Sequence, residues 1–367
     1  MKNKHTYALL FFISLFLGCK MNQPSKTYRL FVGTYTDGES EGIYSYSFNA
    51  STGELSAKKL AVTLPNPSFL TISHDKQNLY AVQETADFDS LGGGVSAFKI
   101  SDGLLTFQNS LGTGGAHPCH VSLTGKNKLV VSNYTGGNVM VADLEYDGSL
   151  SEKHQIINHI SIDTLSKPHA HMAKGSRGEL FVSDLGLDAI KRYQNVDGDF
   201  IAGEQPSIDL KKGAGPRHFV FSENHEFLYV INELNSTITL LQRNAENVFN
   251  EVDTISTISK DFNGDSYCAD VHLSKDGKFL YGSNRGENTI VIFMVDEVSG
   301  KLKLAGREAV RGDWPRNFTL DPTNNFLLVA NQKSDNVSIF KRDTESGTLT
   351  FLKSEKLPNP VCLQFLN

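Results

Sequence analysis

The chain has 367 residues, 39% of them hydrophobic and 21% charged, with 31 glycines and a formal net charge of −6. That is ordinary globular material with enough apolar residues for a sizeable core, which excludes a disordered or fibrous chain. No basic run offsets the negative balance, which argues against nucleic acid or an anionic membrane surface as a partner.

At the N-terminus Lys2 and Lys4 precede an apolar run from Tyr7 to Leu17, closed by Gly18-Cys19. A basic segment, a short apolar segment and a small residue before cysteine resemble a bacterial lipoprotein signal, which makes Cys19 the lipidated first residue of the mature chain. The run is too short to span a bilayer comfortably. The expected organisation is therefore a signal over 1–19, a short tether over 20–27 and one domain over 28–367, held at the cell envelope by lipid alone, as a periplasmic or outer-membrane lipoprotein. With Cys19 taken, Cys119, Cys268 and Cys362 are an odd number that cannot form a disulfide framework. They read as small apolar packing residues.

Beyond the leader the sequence reads as strands. Arg29 to Tyr35 is an apolar run, and Ile43 to Phe48 alternates with period two before a Gly53-Glu54-Leu55 turn. A refrain then begins at Pro67-Ser68-Phe69: a short turn, a hydrophobic strand ending in a polar pair (here Gln83/Glu84), and a further apolar strand. It returns at Pro118-Cys119-His120 with Asn133/Tyr134, at Pro168-His169-Ala170-His171 with Asp184/Leu185, and at Pro216-Arg217-His218 with Asn232/Glu233. It recurs near Cys268-Ala269-Asp270 with Asn284/Arg285 and at Pro315-Arg316-Asn317 with Asn331/Gln332, and a last start stands at Pro360-Val361-Cys362. Glycine turns at Gly148, Gly300 and Gly347 repeat the hairpin device of Gly53.

The starts lie about fifty residues apart, the length of a four-stranded propeller blade. Seven starts predict an all-β, seven-bladed β-propeller with almost no helix. The seventh start has too little chain behind it for a blade, while the N-terminal strands have no start before them. The termini are therefore expected to share a blade, which closes the ring and removes free edges. The protein is expected to be a monomer.

Polar residues that recur at one point of every blade converge on the shaft although they lie far apart in sequence. Two such rings are expected: the polar pairs, and the turn residues Ser68, Cys119, His169, Arg217, Ala269 and Arg316. The repeated Asn133, Asp184 and Asn331 read as scaffolding, because an Asx side chain satisfies nearby backbone groups. Residues that break the repetition, Glu84, His169, Arg217, Glu233 and Arg285, read as chemistry.

The segments Val32 to Thr36, Asn66-Pro67-Ser68, His117 to His120, Ser132-Asn133-Tyr134, Gly215 to His218, Asn232-Glu233-Leu234, Ser283 to Gly286 and Trp314 to Phe318 resemble the seven-bladed propeller lactonase family, which includes propeller-type 6-phosphogluconolactonases and related carboxy-cis,cis-muconate cyclases. The resemblance runs from about Tyr28 to the end. It implies a hydrolase acting on a sugar lactone, with a histidine, two arginines and a glutamate in the shaft mouth that map onto His169, Arg217, Arg285 and Glu233. His171, two residues on, competes with His169 for the histidine role.

Lactone opening needs a group to move a proton and positive charge where the carbonyl oxygen becomes an oxyanion. Arg217 and Arg285 can supply the charge. Glu233 between them is expected to have a lowered pKa and to be a weak base, which leaves His169 as the more natural proton carrier. Glu84, His120, His218, Asn232, Asn284 and Arg316 are expected as pocket walls that contact substrate, with Trp314 beside them. A metal site drawn from His169, His171, Glu84 and Asp270 lacks the closely spaced oxygen ligands that calcium requires, so neither metal nor other cofactor is expected. The competing readings are a non-catalytic propeller that binds a glycan or partner protein, and a muconate cycloisomerase.

Overall fold

A computed structural model of the chain describes residues 26–125, 127–159 and 166–366. The expected signal and its Cys19 lie outside the described residues. Seven four-stranded antiparallel sheets make up the described chain, and none of the described residues is helical. Blades 1 to 6 are consecutive and cover residues 70–112, 118–158, 170–209, 216–256, 267–309 and 315–356. In each, the first strand is innermost and the fourth outermost.

Blade 7 closes the ring as expected. Its inner strand is the C-terminal Pro360–Leu366, paired with Thr27–Thr34, followed by Gly42–Asn49 and Glu54–Thr63. The antiparallel register runs from Arg29 opposite Leu366 to Gly33 opposite Cys362. The first and last described strands are thereby committed to one ladder, and neither leaves a free inner edge.

The core lies between neighbouring blades. The second strand of a blade is buried on both faces, as in Phe227–Asn232 and Phe326–Asn331, which explains why these read as continuous apolar runs rather than alternating ones. Tyr229, Ile231 and Leu240 of blade 4 pack against Leu280, Val291 and Phe293 of blade 5, and the same arrangement recurs around the ring. Each such aliphatic or aromatic side chain contributes about 1.5–3 kcal/mol on full burial.

Two polar devices lock blade to blade. The hydroxyls of Tyr80, Tyr229 and Tyr281 donate to the carbonyls of Gly148, Gly300 and Gly347 in the hairpin turn of the next blade, at 2.8 to 2.9 Å. The side-chain amides of Asn133, Asn284 and Asn331 donate to the carbonyls of Thr113, Thr257 and Val310, each just past the outer strand of the preceding blade. Asp184 instead accepts from the amides of His169 and Leu187.

The inner strands carry a recurrent irregularity that builds the shaft. In blades 2, 4 and 6 the register skips one residue after the starting proline, so that Cys119, Arg217 and Arg316 stand out of the ladder as β-bulges. A bulge re-aims a side chain and frees it from pairing. Blade 3 departs from the expected alignment. Its skip falls between Ala170 and Met172, so His171, not His169, occupies the position of Arg217. His169 instead stands two residues before the bulge, where its carbonyl accepts from the amide of Leu185 as Gly215 accepts from Glu233 and Trp314 from Gln332. The sequence alignment was misled because blade 3 spends two more residues than its neighbours between proline and bulge.

Candidate active site

The polar pairs and the bulges meet at one end of the shaft. Glu233 follows the buried inner ladder of blade 4 and turns its Oε2 between two guanidinium groups, 3.0 Å from Nε of Arg217 and 2.8 Å from Nη2 of Arg285. The first approach is an ion pair whose N–H does not align on the oxygen, whereas the second is a hydrogen bond in length. Both arginines are anchored by backbone. Nη1 of Arg217 donates to Ala269 O at 2.6 Å, and Arg285 donates from Nε to Tyr267 O and from Nη2 to Cys268 O, each at 3.1 Å. Three of the four residues implied by the resemblance thus form one cluster drawn from blades 4 and 5.

The fourth, His169, lies flat on Tyr134, with ring centroids 4.5 Å apart and planes 16° apart. Its Nδ1 is 2.9 Å from the carbonyl of Tyr134. A carbonyl only accepts, so Nδ1 carries a proton and Nε2 is left with its lone pair in the neutral ring. His171 meets the edge of the same tyrosine at 5.7 Å and is buried, with Nδ1 unpartnered.

Across the mouth stands a second carboxylate and arginine. Glu84 Oε2 accepts from the Tyr35 hydroxyl at 2.9 Å and from the Ser68 hydroxyl. Arg316 lies 3.7 Å from the same oxygen and packs its guanidinium 5.2 Å over the Tyr35 ring. On the blade 5 and 6 side, Trp314 sits 5.3 Å from the Arg285 guanidinium carbon, and the Lys333 ammonium caps the indole.

Beneath the mouth, Phe69, His120, His171 and His218 form a ring contact network with centroid distances of 4.3 to 5.9 Å. His218 joins this layer to Arg217. His218 is fixed from both sides: Nη1 of Arg217 lies 3.3 Å from Nε2, and Nδ1 is 2.8 Å from Asp270 Oδ1. Because arginine can only donate, the proton of neutral His218 is on Nδ1 and points at Asp270. Asp270 Oδ2 also accepts from Asn317 Nδ2 at 2.6 Å, and Asn317 Oδ1 accepts from the amide of Leu363 at 2.8 Å. One chain of hydrogen bonds therefore supports Arg217 from blades 4, 5, 6 and 7.

Burial and charge set the protonation states. Burial alone would raise the Glu233 carboxyl, but Arg285, Arg217 and Arg316 outweigh it and hold it below the usual carboxylate range. Burial, aided by the other two arginines, lowers Arg217 to about 10, which leaves it charged at neutral pH. Burial pushes His120 and His171 well below the ordinary histidine value, with His218 and Arg217 respectively adding to it, and brings His218 to about 4. All three imidazoles are neutral at pH 7. Burial likewise raises the Cys268 and Cys362 thiols to about 12 and Cys119 further, so none is a ready nucleophile.

Of the expected pocket walls, Glu84 and Arg316 stand in the mouth, His120 and His218 in the layer beneath. The amides of Asn232 and Asn284 are engaged within the blades, Asn232 with Thr237 and Thr239 and Asn284 with Thr289, Glu287 and the Thr257 carbonyl of the preceding blade. They are not brought into the charged cluster. Sequence reasoning passed over Tyr35, although Thr34-Tyr35 becomes the seventh polar pair once the termini are joined in blade 7. It also read Tyr134 only as half of a scaffold pair.

A family model described as a seven-bladed β-propeller lactonase matches residues 29–365. The 6-phosphogluconolactonase of Bacillus subtilis is 38% identical over 347 residues, covering 92% of this chain and 98% of that protein. That of Formosa agariphila is 36% identical over 346 residues, covering 90% and 97%. Among solved structures, the Pseudomonas aeruginosa periplasmic gluconolactonase PpgL superposes with a TM-score of 0.87 at 31% identity, covering 93% of this chain and 99% of that one. The propeller, its polar mouth and these matches along nearly the whole described length agree, and the chain belongs to the seven-bladed β-propeller lactonase family.

Proposed function

We propose that this protein hydrolyses a sugar lactone in the shaft mouth. The observation that carries the reading is the bracketing of Glu233 by Arg217 and Arg285 beside Tyr134, the ring on which His169 stacks. Neither arginine is fully committed: no described residue accepts from Nη2 of Arg217 or Nη1 of Arg285. Those groups are free to meet the carbonyl oxygen as it gains charge, or an anionic substituent of the substrate. Glu233, held ionised by its neighbours, is poorly suited to take a proton and serves to fix both guanidiniums. His169 carries the proton to the departing ring oxygen through Nε2.

The relatives named 6-phosphogluconolactonase support a lactone of a sugar acid. A Cys19 lipid anchor puts the domain outside the cytoplasm, where phosphorylated sugar lactones are scarce, and the relative PpgL is described as a periplasmic gluconolactonase. We therefore favour an unphosphorylated aldonolactone. The test is to follow opening of glucono-δ-lactone and its 6-phosphate above the spontaneous rate. Arg217→Ala and Glu233→Gln are expected to lose at least 100-fold in kcat/KM. If the wild-type protein matches the blank on both lactones, hydrolysis is rejected and a binding propeller takes its place.

A further inference from the structure

The mouth holds two carboxylate and arginine pairs that differ in how fully they are satisfied. Glu233 is spent between Arg217 and Arg285. Glu84 is held through one oxygen by two neutral hydroxyls, those of Tyr35 and Ser68, and among the described residues Oε1 has no hydrogen-bond partner. Arg316 differs from the other two arginines in the same sense. Among the described residues its guanidinium makes no hydrogen bond; it is placed only by stacking on Tyr35 and by the long 3.7 Å ion pair to Glu84. Its side chain is nevertheless only 16% exposed. A mostly buried guanidinium with unused donors is a costly arrangement unless something else accepts from them.

We infer that Glu84 and Arg316 are a catalytic pair for lactone hydrolysis, Glu84 activating water and Arg316 receiving the oxyanion. The assignment rests on the lactonase reading above and adds residues outside the quartet carried by the family resemblance. Glu84 takes a proton from water; the water oxygen bonds to the carbonyl carbon, and the C=O electron pair moves onto the oxygen facing Arg316. Glu84 passes that proton through solvent to the lone pair on Nε2 of His169, and when the tetrahedral intermediate collapses, the C–O ring bond breaks and the ring oxygen takes the proton from Nε2. Glu84 and His169 end as they began, so one lactone and one water become one hydroxy acid. Tyr35 is a positioning residue: its hydroxyl aims Glu84 and its ring face carries Arg316.

The experiment compares kcat and KM on the lactone that the wild type turns over. Glu84→Gln and Arg316→Gln are each expected to lower kcat about 100-fold or more with KM changed less than fivefold, as loss of a transition-state contact requires. Formate is expected to restore at least tenfold of the rate lost in Glu84→Ala, a rescue that repair of a purely structural gap would not give. Tyr35→Phe, which removes one hydroxyl and keeps the ring, serves if the charge variants unfold, and is expected to lose about tenfold in kcat. Variants that remain folded with kcat within threefold of wild type, or an Ala variant indifferent to formate, overturn the pair while leaving the lactonase reading intact. A wild type without turnover overturns both.

Discussion

Replacing Glu233 by Gln tests whether the mouth is held together electrostatically. The carboxylate lies 3.0 and 2.8 Å from two guanidinium nitrogens and is 18% exposed, while Arg217 and Arg285 are almost fully buried. At an effective dielectric of about 20, each pair of unit charges about 4 Å apart is worth about 4 kcal/mol, offset in part by repulsion between the arginines and by desolvation. Removing one partner of a buried pair typically costs about 3–5 kcal/mol, because the other charge is left uncompensated. Here two guanidiniums are left, but both keep their backbone carbonyl acceptors, so a loss of about 3 kcal/mol is expected at pH 7. Urea unfolding monitored by fluorescence measures it. The dependence on pH has a definite sign: the folded carboxyl is depressed, so its contribution is present above the ordinary carboxylate pKa and vanishes as pH falls through the lower folded value. Wild type and Glu233→Gln should therefore converge on acidification. A stability difference below about 1 kcal/mol at pH 7, or one that does not shrink in acid, would refute the reasoning.

Asp270→Asn is expected to cost roughly 3 kcal/mol, because either amide orientation points a donor at groups that now donate to it, His218 on one side and Asn317 with the Phe318 amide on the other; equilibrium unfolding checks it. Tyr281→Phe removes a hydroxyl that donates to Gly347 O and accepts from Nε of Arg342, leaving both buried groups unsatisfied at a cost of about 2 kcal/mol, measurable in the same way. Gly33→Ala would put its methyl 2.2 Å from the backbone oxygen of Pro67, beside the ladder that closes the ring. A loss of about 3 kcal/mol is expected, with faster proteolysis of the C-terminal strand as the local signature.

The architecture was legible because it is written several times over. Each start, each polar pair and each glycine turn recurs, so a misread copy is corrected by its neighbours, and the missing strands of the seventh start told that the termini pair. The site is written once and has no such redundancy. Arg217, Glu233 and Arg285 stood out because they put charge at positions that do not repeat from blade to blade, filled elsewhere by residues as different as Cys119, Tyr134 and Leu185. The bulge of blade 3 was not readable, since the number of residues between proline and bulge is decided by ladder pairing, which leaves no mark in the local sequence. The placement of Asn232 and Asn284 was not readable for a related reason: their amides bond within and between blades, while the second members of the same pairs, Glu233 and Arg285, meet in the mouth.

The charge balance of the mouth bears on product release. On the proposed chemistry a lactone enters without a carboxylate and leaves with one, so guanidinium groups that stabilise the oxyanion also attract the product. Three unopposed arginines would favour the bound acid over the transition state and slow its departure, whereas only stabilisation confined to the transition state raises turnover. The two carboxylates answer this by leaving a single net positive charge among Arg217, Arg285, Arg316, Glu84 and Glu233. Glu233 is shared by a pair of arginines and Glu84 stands against the lone one, so Arg316 is balanced at rest and becomes the least neutralised guanidinium only when Glu84 takes a proton. When Glu84 is protonated during attack, Arg316 loses its counter-charge just as the oxyanion forms. When Glu84 gives that proton up, the negative charge returns beside Arg316 and the product carboxylate is displaced.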